Sequence, residues 1–474
     1  MREQTGRSSP GRAGPSRTGR PGRAAPADGG SRAARRGLRA GGAGLLIAGI
    51  LALAANMRAA ITSLPPLFPQ LHGALHLSSA GQAVLAAIPV LCFGVFSGSG
   101  APLARRFGEE RVLGAALVTL AAGLVLRAVA PSVLLFPGTI VAGGSIALLN
   151  VLTPSLVKRR QPERAGLLIG LYLLALSAGA IVASLIAVPV FQAAGGGAGS
   201  VRLTVGLWAV PALLAAALWT PQLRFRTVPG PAAPPPAVPD AAAEAGLGAT
   251  AAGPGAIPGP GTGGPVPGVP APAAGPAPAA LWRSALTWQV TAFMGLQSLG
   301  YYAALSWFPT LFQDRGASAV HAGTLLAIMG LGNAITALAV PALAQRLRDQ
   351  RLLSAVWMIG TGIGLAGAAF APLGAAPAFM LLLGAGQGAS LGLAIFYTVA
   401  RSPDPVTSAS LSGFAQSLGY LVASTGPLLL GFLHTATGGW DIPVDVLLAV
   451  VALQLVTGWL AGRAGTIPPV PRAG

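Results

Sequence analysis

The chain has 474 residues, of which 53% are hydrophobic and only 9% are charged, and its mean hydropathy is +0.67. Soluble domains carry about 25% charged residues, so this composition excludes an ordinary soluble domain and indicates a protein with many membrane-spanning helices. The net charge of +18 falls in a basic N-terminal segment and in short loops, without the aromatic platforms and repeated basic faces of nucleic-acid-binding proteins. We therefore expect a lipid bilayer, and no nucleic acid, as a partner.

The N-terminal segment, residues 1–43, is rich in Gly, Pro, Ser and Arg and holds ten of the 30 basic residues. This composition predicts a disordered basic tail. The stretch around Arg35 and Arg36 loosely resembles a twin-arginine export signal. The apolar run behind it is too long for a signal peptide, and eleven further runs follow. We therefore interpret the segment as a cytoplasmic tail that contacts anionic lipid.

Twelve apolar runs are long enough to cross about 30 Å of hydrocarbon as helices. We number them spans one to twelve; they cover residues 45–70, 80–101, 112–130, 133–157, 165–193, 202–221, 285–312, 320–343, 352–371, 375–400, 407–433 and 441–461. Residues 224–283 are almost all Pro, Ala and Gly, which predicts a flexible linker. The predicted organisation is a first half (44–223), the linker, a second half (284–462) and a C-terminal tail (463–474).

The Lys and Arg residues between the spans predict the orientation of the chain. Of the 30, 26 fall on the side of the bilayer that holds both termini and the linker. Arg127, Arg202 and Arg315 fall on the other side, and Arg58 lies within the membrane. Because positive charge accumulates in cytoplasmic loops, this distribution predicts a plasma (inner) membrane protein with both termini in the cytoplasm.

Arg58 is the one charge that the sequence places deep inside a span. An arginine at the centre of a membrane helix costs at least ~2.5–3.5 kcal/mol on insertion scales, so such a residue is normally paired or functional. No Asp or Glu lies deep in any span to neutralise it. We interpret Arg58 as the centre of a binding site for an electron-rich solute. The alternative is that it braces the helices of the bundle.

An internal repeat relates the two halves. Residues 103–113 align with residues 343–353, and the same offset of 240 residues aligns Phe68-Pro69 with Phe308-Pro309. Applied to Arg58, this offset predicts that Gln297 and Ser298 of span seven lie across the repeat axis from it. Two parallel repeats with a site between them near the middle of the bilayer are typical of one large class of transporters.

Polar residues in the middle of the spans complete the predicted site. Tyr301 follows Gln297 at a spacing of four residues, and Tyr420 follows Gln416 in the same way, so each pair shares one helix face. The alternative role for such residues is to join helices by hydrogen bonds. The predicted solute-binding residues are Arg58, Asn56, Thr62, Asn150, Gln297, Tyr301, Gln416 and Tyr420. We find no motif for a cofactor, a metal or an enzymatic reaction.

The loop after span two resembles the signature loop of the major facilitator superfamily, Gly-x-Leu-Ala-Asp-Arg-x-Gly-Arg-Arg. Leu103, Ala104, Arg106 and Gly108 match this pattern, whereas Arg105 replaces the Asp. Further stretches are similar to the cyanate and nitroimidazole transporter branch of that superfamily; they are residues 56–63, 88–94, 150–158, 288–298 and 413–420.

The resemblance implies an all-α membrane protein whose twelve helices form two pseudo-symmetric six-helix bundles. It also implies that the chain, as a monomer, transports a small anion or compact polar solute by alternating access, with or without a coupling proton or ion. By the same resemblance, the cytoplasmic gate loops contain Arg105, Arg106, Gly108, Glu109, Arg111, Arg346, Asp349 and Arg351. Because Arg105 replaces the usual Asp, we expect Glu109 or Glu110 to pair with Arg111 or Arg164.

Two other functions are compatible with the sequence. A multidrug efflux pump of the same superfamily would favour a wide aromatic cavity and a membrane-embedded carboxylate, and the sequence shows neither. A receptor or scaffold that kept the fold without transporting would use the tail or the linker as its partner surface. The linker has no charge clusters or motifs to support that role.

Overall fold

The computed structural model describes residues 29–225 and 281–467, without the side chains of residues 29–43, 132, 405 and 406. Within these ranges the chain is helical and has no strand. The predictions for residues 1–28, for the linker between 226 and 280, and for the tail from 468 onwards lie outside the described residues. Residues up to Gly44 belong to a unit of their own, and the following description concerns the unit that begins at Leu45.

The described helices follow the predicted spans, with two differences. The first helix already begins at Gly29, and spans one, two and six are each built from two helices. In the first half, the helices are Gly29–Thr62, Phe68–Leu75, Ser79–Phe96, Gly100–Phe107, Glu109–Val129, Pro131–Arg160, Ala165–Ala193, Ala198–Gly206 and Ala209–Trp219. In the second half, they are Ala285–Asp314, Ala319–Ala344, Arg351–Phe370, Ala376–Ala400, Pro405–Thr437 and Asp441–Ala461.

Eleven helical segments in the described residues are long and apolar enough to cross a membrane. The remaining predicted span, span seven, is the 30-residue helix Ala285–Asp314, which is long enough but less apolar. Its middle turns carry Gln297, Ser298, Tyr301 and Tyr302, and all four side chains are buried. Span seven therefore keeps its polar groups away from lipid by facing the other helices.

Span one is interrupted because Pro65 and Pro66 have no backbone N–H to donate. The amide of Leu64 already turns back to the carbonyl of Ile61, so the carbonyl of Ala60 loses its helical partner. Arg127 of span three supplies the replacement, since its Nη1 donates to Ala60 O at 2.9 Å and its Nε donates to Thr139 Oγ1 at 3.0 Å.

This contact shows that Arg127, which the sequence assigned to the side of the bilayer away from the termini, is buried among the helices. The side chain of Arg127 is only 1% exposed. The sequence suggested an outer-loop position because Arg127 lies near the end of its span. Its burial follows from the unpaired carbonyl that the two prolines create in a different span.

We predict that Arg127→Met destabilises the protein by about 3 kcal/mol, because hydrogen bonds to charged groups contribute about 1.5–3 kcal/mol and the carbonyl of Ala60 is left unpaired. The thermal unfolding of the purified protein in detergent measures this loss. Arg202→Met is the matched control, because Arg202 lies near the same end of the bundle and is exposed. Equal melting temperatures for the two variants would contradict the assigned role of Arg127.

Two glycines let the helices around Arg58 approach each other closely. A Cβ atom at Gly179 of span five would lie 2.0 Å from the carbonyl oxygen of Ala55 in span one. A Cβ atom at Gly295 of span seven would lie 3.4 Å from the Cα of Gly419 in span eleven. These contacts bring spans one, five, seven and eleven into the arrangement that the central site requires.

The charged loops at the end of the bundle nearest the termini form local networks. Glu109 accepts a hydrogen bond from Ser155 at 2.8 Å and lies 3.4 Å from Arg159, while Glu110 lies 2.8 Å from Arg160. The predicted pairing with Arg111 or Arg164 is therefore wrong. The two carboxylates are buried at the start of span three and face span four, and their partners are the arginines at the end of span four.

The other predicted gate residues are mostly exposed. Arg105, Arg106, Arg111 and Arg346 all lie on the surface, and Asp349 pairs locally with Arg351 at 3.6 Å. Gly108 has a φ angle of +90° in the turn between spans two and three, a conformation that favours glycine.

Candidate functional site

A narrow central cavity, with room for about one water molecule, lies between the two halves. Span one contributes one residue, and spans seven, eight, ten and eleven contribute the others. The lining residues are Arg58, Gln297, Ser298, Tyr301, Tyr302, Asn333, Leu391 and Tyr420. Small-molecule pockets commonly measure about 300–1,000 Å³. The cavity is far smaller in this structure, so its wall must move apart before a solute can occupy it.

Arg58 supplies the charge of the cavity. Its Nη1 donates to the hydroxyl of Tyr301 at 3.1 Å, and among the described residues this is the only hydrogen bond of the guanidinium. Arginine has five N–H donors, so most of them remain available to a ligand. No carboxylate lines the cavity, and the ion pairs found in the described ranges lie in the loops near the termini.

Four of the five tyrosines of the chain lie near Arg58; they are Tyr172, Tyr301, Tyr302 and Tyr420. The rings of Tyr301 and Tyr302 meet edge to face with centroids 5.2 Å apart, and those of Tyr302 and Tyr420 are 6.5 Å apart. Phe93 closes the cluster at 5.5 Å from Tyr420. The site therefore combines one cation with neutral hydroxyl groups and aromatic surface.

Half of the residues predicted from the sequence meet in this cavity. Arg58, Gln297, Tyr301 and Tyr420 all line it, together with Ser298, which the repeat placed across from Arg58. The hydrogen bond of Arg58 nevertheless goes to Tyr301, one helical turn beyond Gln297. Gln297 instead accepts from the hydroxyl of Ser298 at 3.0 Å.

The other predicted residues do not line the cavity and bond to other groups of the bundle. Asn56 donates to the carbonyl of Ala52 at 3.0 Å, and Thr62 donates to the carbonyl of Arg58 at 2.9 Å. Asn150 accepts from the hydroxyl of Tyr172 at 3.0 Å, and Gln416 donates to Ser412 at 2.8 Å. Helical spacing identified these side chains as polar and internal, but it did not reveal which neighbouring helix each one faces.

Sequence reasoning missed Tyr302 and Asn333 in the cavity wall and Tyr172 behind it. Tyr302 directly follows Tyr301, and adjacent residues on a helix point in different directions, so the pattern of four-residue spacing excluded it. Asn333 stands alone as an amide in the apolar span eight. Its position in mid-span is the signal that could have identified it.

The two halves are packed together at the end of the bundle away from the termini. Gln70 of span one donates to Gln313 of span seven at 3.2 Å, and Gln313 donates to the carbonyl of Pro66 at 3.4 Å. The rings of Phe68 and Trp307 lie 6.0 Å apart beneath this contact. We call Gln70 and Gln313 the glutamine pair. It joins spans one and seven at this end of the bundle.

The helices define the class of the protein as a polytopic membrane protein, and its central cavity is basic and free of carboxylates. The sequence model of the Major Facilitator Superfamily matches residues 44–427. The chain belongs to this superfamily, so it is an integral membrane protein of a transporter family, as predicted.

Relatives over most of the chain are transporters. The 2-nitroimidazole transporter of Escherichia coli is 35% identical over 88% of this chain and 95% of its own length. The uncharacterized transporter YycB of Bacillus subtilis is 33% identical over 88% of this chain and 93% of its own length. The cyanate transport protein CynX of Escherichia coli is 28% identical over 85% of this chain and 93% of its own length.

Solved structures share the fold. The D-xylose–proton symporter superposes with a TM-score of 0.64 at 16% identity and covers 90% of this chain and 99% of its own. A bacterial homologue of the human lysosomal transporter Spinster, inward-facing and occupied, has a TM-score of 0.65 at 15% identity over 92% and 99% of the two chains. The predicted fold class is thus confirmed.

Proposed function

We propose that the chain is a secondary transporter of a small, electron-rich solute of the cyanate or nitroimidazole kind. The observation that carries this proposal is Arg58, a cation in the middle of the bundle whose guanidinium keeps most of its donors free toward a cavity without carboxylates. A monoanion, or a neutral solute with a nitro or carbonyl group, supplies the missing acceptors. The names of the relatives support the same solute classes.

Transport proceeds in this proposal by alternating access of two six-helix halves, residues 44–223 and 284–462, in a monomer. The plasma membrane holds the protein with both termini in the cytoplasm, so the glutamine pair faces outward. The charged loops around Glu109 and Asp349 then belong to the cytoplasmic gate. The distribution of Lys and Arg supports this orientation.

Efflux of bulky drugs fits the site less well. The tyrosines and Phe93 do form an aromatic cluster, but the cavity that they border is narrow and favours a compact solute over a bulky one. Acidic residues of the last span, Asp441 and Asp445, are exposed in its first turns and do not approach the cavity.

Uptake into proteoliposomes tests the proposal. Purified protein is reconstituted, and the influx of 2-nitroimidazole and of cyanate is compared with that of a bulky cationic drug. We expect saturable influx of at least one small solute and none of the drug. Repeating the assay with and without an imposed pH gradient shows whether a proton is coupled. Binding of the small solutes without any flux would instead favour a receptor that kept the fold.

A further inference from the structure

Asn333 is a polar group in the cavity wall that the site around Arg58 does not use. It lies in span eight, so it approaches the cavity from a different helix than Arg58 in span one or the tyrosines in spans seven and eleven. Its side-chain amide has no hydrogen-bond partner among the described residues. An amide carries both donors and an acceptor, so a ligand that reaches Asn333 gains a second polar contact.

Most of the larger side chains that line the same cavity are aromatic. Tyr301, Tyr302 and Tyr420 line the cavity, and Leu391 adds an apolar contact. The rings of Tyr301 and Tyr302 pack edge to face, so a planar molecule that enters the cavity contacts aromatic side chains. A linear anion bound at Arg58 would leave both these aromatic side chains and the amide of Asn333 unused.

We propose that Asn333 is a specificity-determining residue and that the preferred solute is a planar, two-ended molecule. In this assignment, an electron-rich acceptor such as a nitro group binds Arg58 beside the Tyr301 hydroxyl. A ring nitrogen at the other end of the solute hydrogen-bonds the amide of Asn333, and the ring lies against the tyrosines. The proposal rests on the proposed function, and it selects a nitrogen heterocycle over a simple anion.

Two probes that share a nitro group distinguish the contact with Arg58 from the contact with Asn333. 2-Nitroimidazole carries ring nitrogens, whereas nitrobenzene does not. Their affinities are measured from the rise in melting temperature of the purified protein with ligand concentration, in one detergent throughout. We expect the wild-type protein to prefer 2-nitroimidazole about tenfold, the order of one buried hydrogen bond.

Asn333→Leu keeps the size of the side chain but removes its amide. We expect this variant to bind 2-nitroimidazole about tenfold more weakly and to bind nitrobenzene with an affinity within about twofold of the wild type, so that the preference disappears. Asn333→Ala serves as the second variant, since alanine suits a helix interior and cannot clash. Gln416→Leu is the matched control, because it removes an amide in span eleven that bonds to Ser412 and does not line the cavity.

The outcomes separate the two proposals. If both Asn333 variants weaken the two probes equally or not at all, while Arg58→Gln weakens both, the role of Asn333 is overturned and the proposed function stands. If Arg58→Gln changes neither affinity, the proposed function loses its binding site and the assignment of Asn333 falls with it. If the wild-type protein binds neither probe but takes up cyanate, only the assignment of Asn333 falls.

Discussion

An Arg58→Gln variant should transport its solute about 100-fold less efficiently than the wild type, which corresponds to the loss of about 3 kcal/mol of charge-assisted hydrogen bonding. The same variant should melt at the wild-type temperature or above it, because it removes a charge that is expensive to hold inside a membrane protein. Initial rates of uptake into proteoliposomes and thermal unfolding in detergent measure the two quantities. Lost transport with unchanged stability distinguishes a binding role from a structural one, because replacing a bracing residue would lower the stability of the protein together with its activity.

Arg58→Lys refines this result. Lysine keeps the positive charge but replaces the planar fork of donors by a single ammonium group, so we expect a loss of about tenfold. Arg202→Gln is the control, because it removes an exposed arginine from the same half of the protein. Normal transport by a well-folded Arg58→Gln protein would remove Arg58 from the site and leave the bracing role as its explanation.

Covalent linkage across the glutamine pair should stop transport almost completely. The side chains of Gln70 and Gln313 meet at 3.2 Å and belong to different halves, so a short link between them holds this end of the bundle closed. Alternating access requires this end to open once in each cycle. Cysteines at both positions, joined by a bifunctional thiol reagent with a cleavable disulfide, provide the link, and uptake is measured before and after cleavage.

Cys92, the only cysteine of the chain, is buried and is first replaced by Ala to give a clean background. We expect the linked protein to be inactive and a reducing agent to restore transport. Gln70→Cys and Gln313→Cys alone, treated with the same reagent, should keep their activity. Full transport by the linked double variant would show that the two halves do not separate here during the cycle.

Several features of the protein were predictable from local sequence. The apolar runs define the spans, because the length and composition of a run decide whether it can cross a bilayer. The apolar runs also predicted a helix boundary close to Ala130, where span three ends at Val129 and span four begins at Pro131. The depth of Arg58 is equally local, since the residues around it in the chain place it inside the membrane.

The partners of the polar groups were not predictable in this way. The 240-residue repeat brought span seven to Arg58, but the rotation of that helix gave the hydrogen bond to Tyr301 and left Gln297 bonded to Ser298. Asn150 and Gln416 have the same internal polar character as Tyr420, yet Asn150 bonds to Tyr172 of the neighbouring span and Gln416 bonds to Ser412 of its own helix.

The sequence by itself determined that this is a polytopic membrane protein with an arginine deep in its first span and a twofold internal repeat. Only the tertiary structure decided that Asn333 and Tyr302 join the cavity, and that Arg127 is buried on the carbonyl of Ala60. The physical reason is that hydropathy acts along a single helix. The rotation of each helix and the choice of its neighbours depend instead on close packing at small residues such as Gly179, and on carbonyls freed by prolines in other spans.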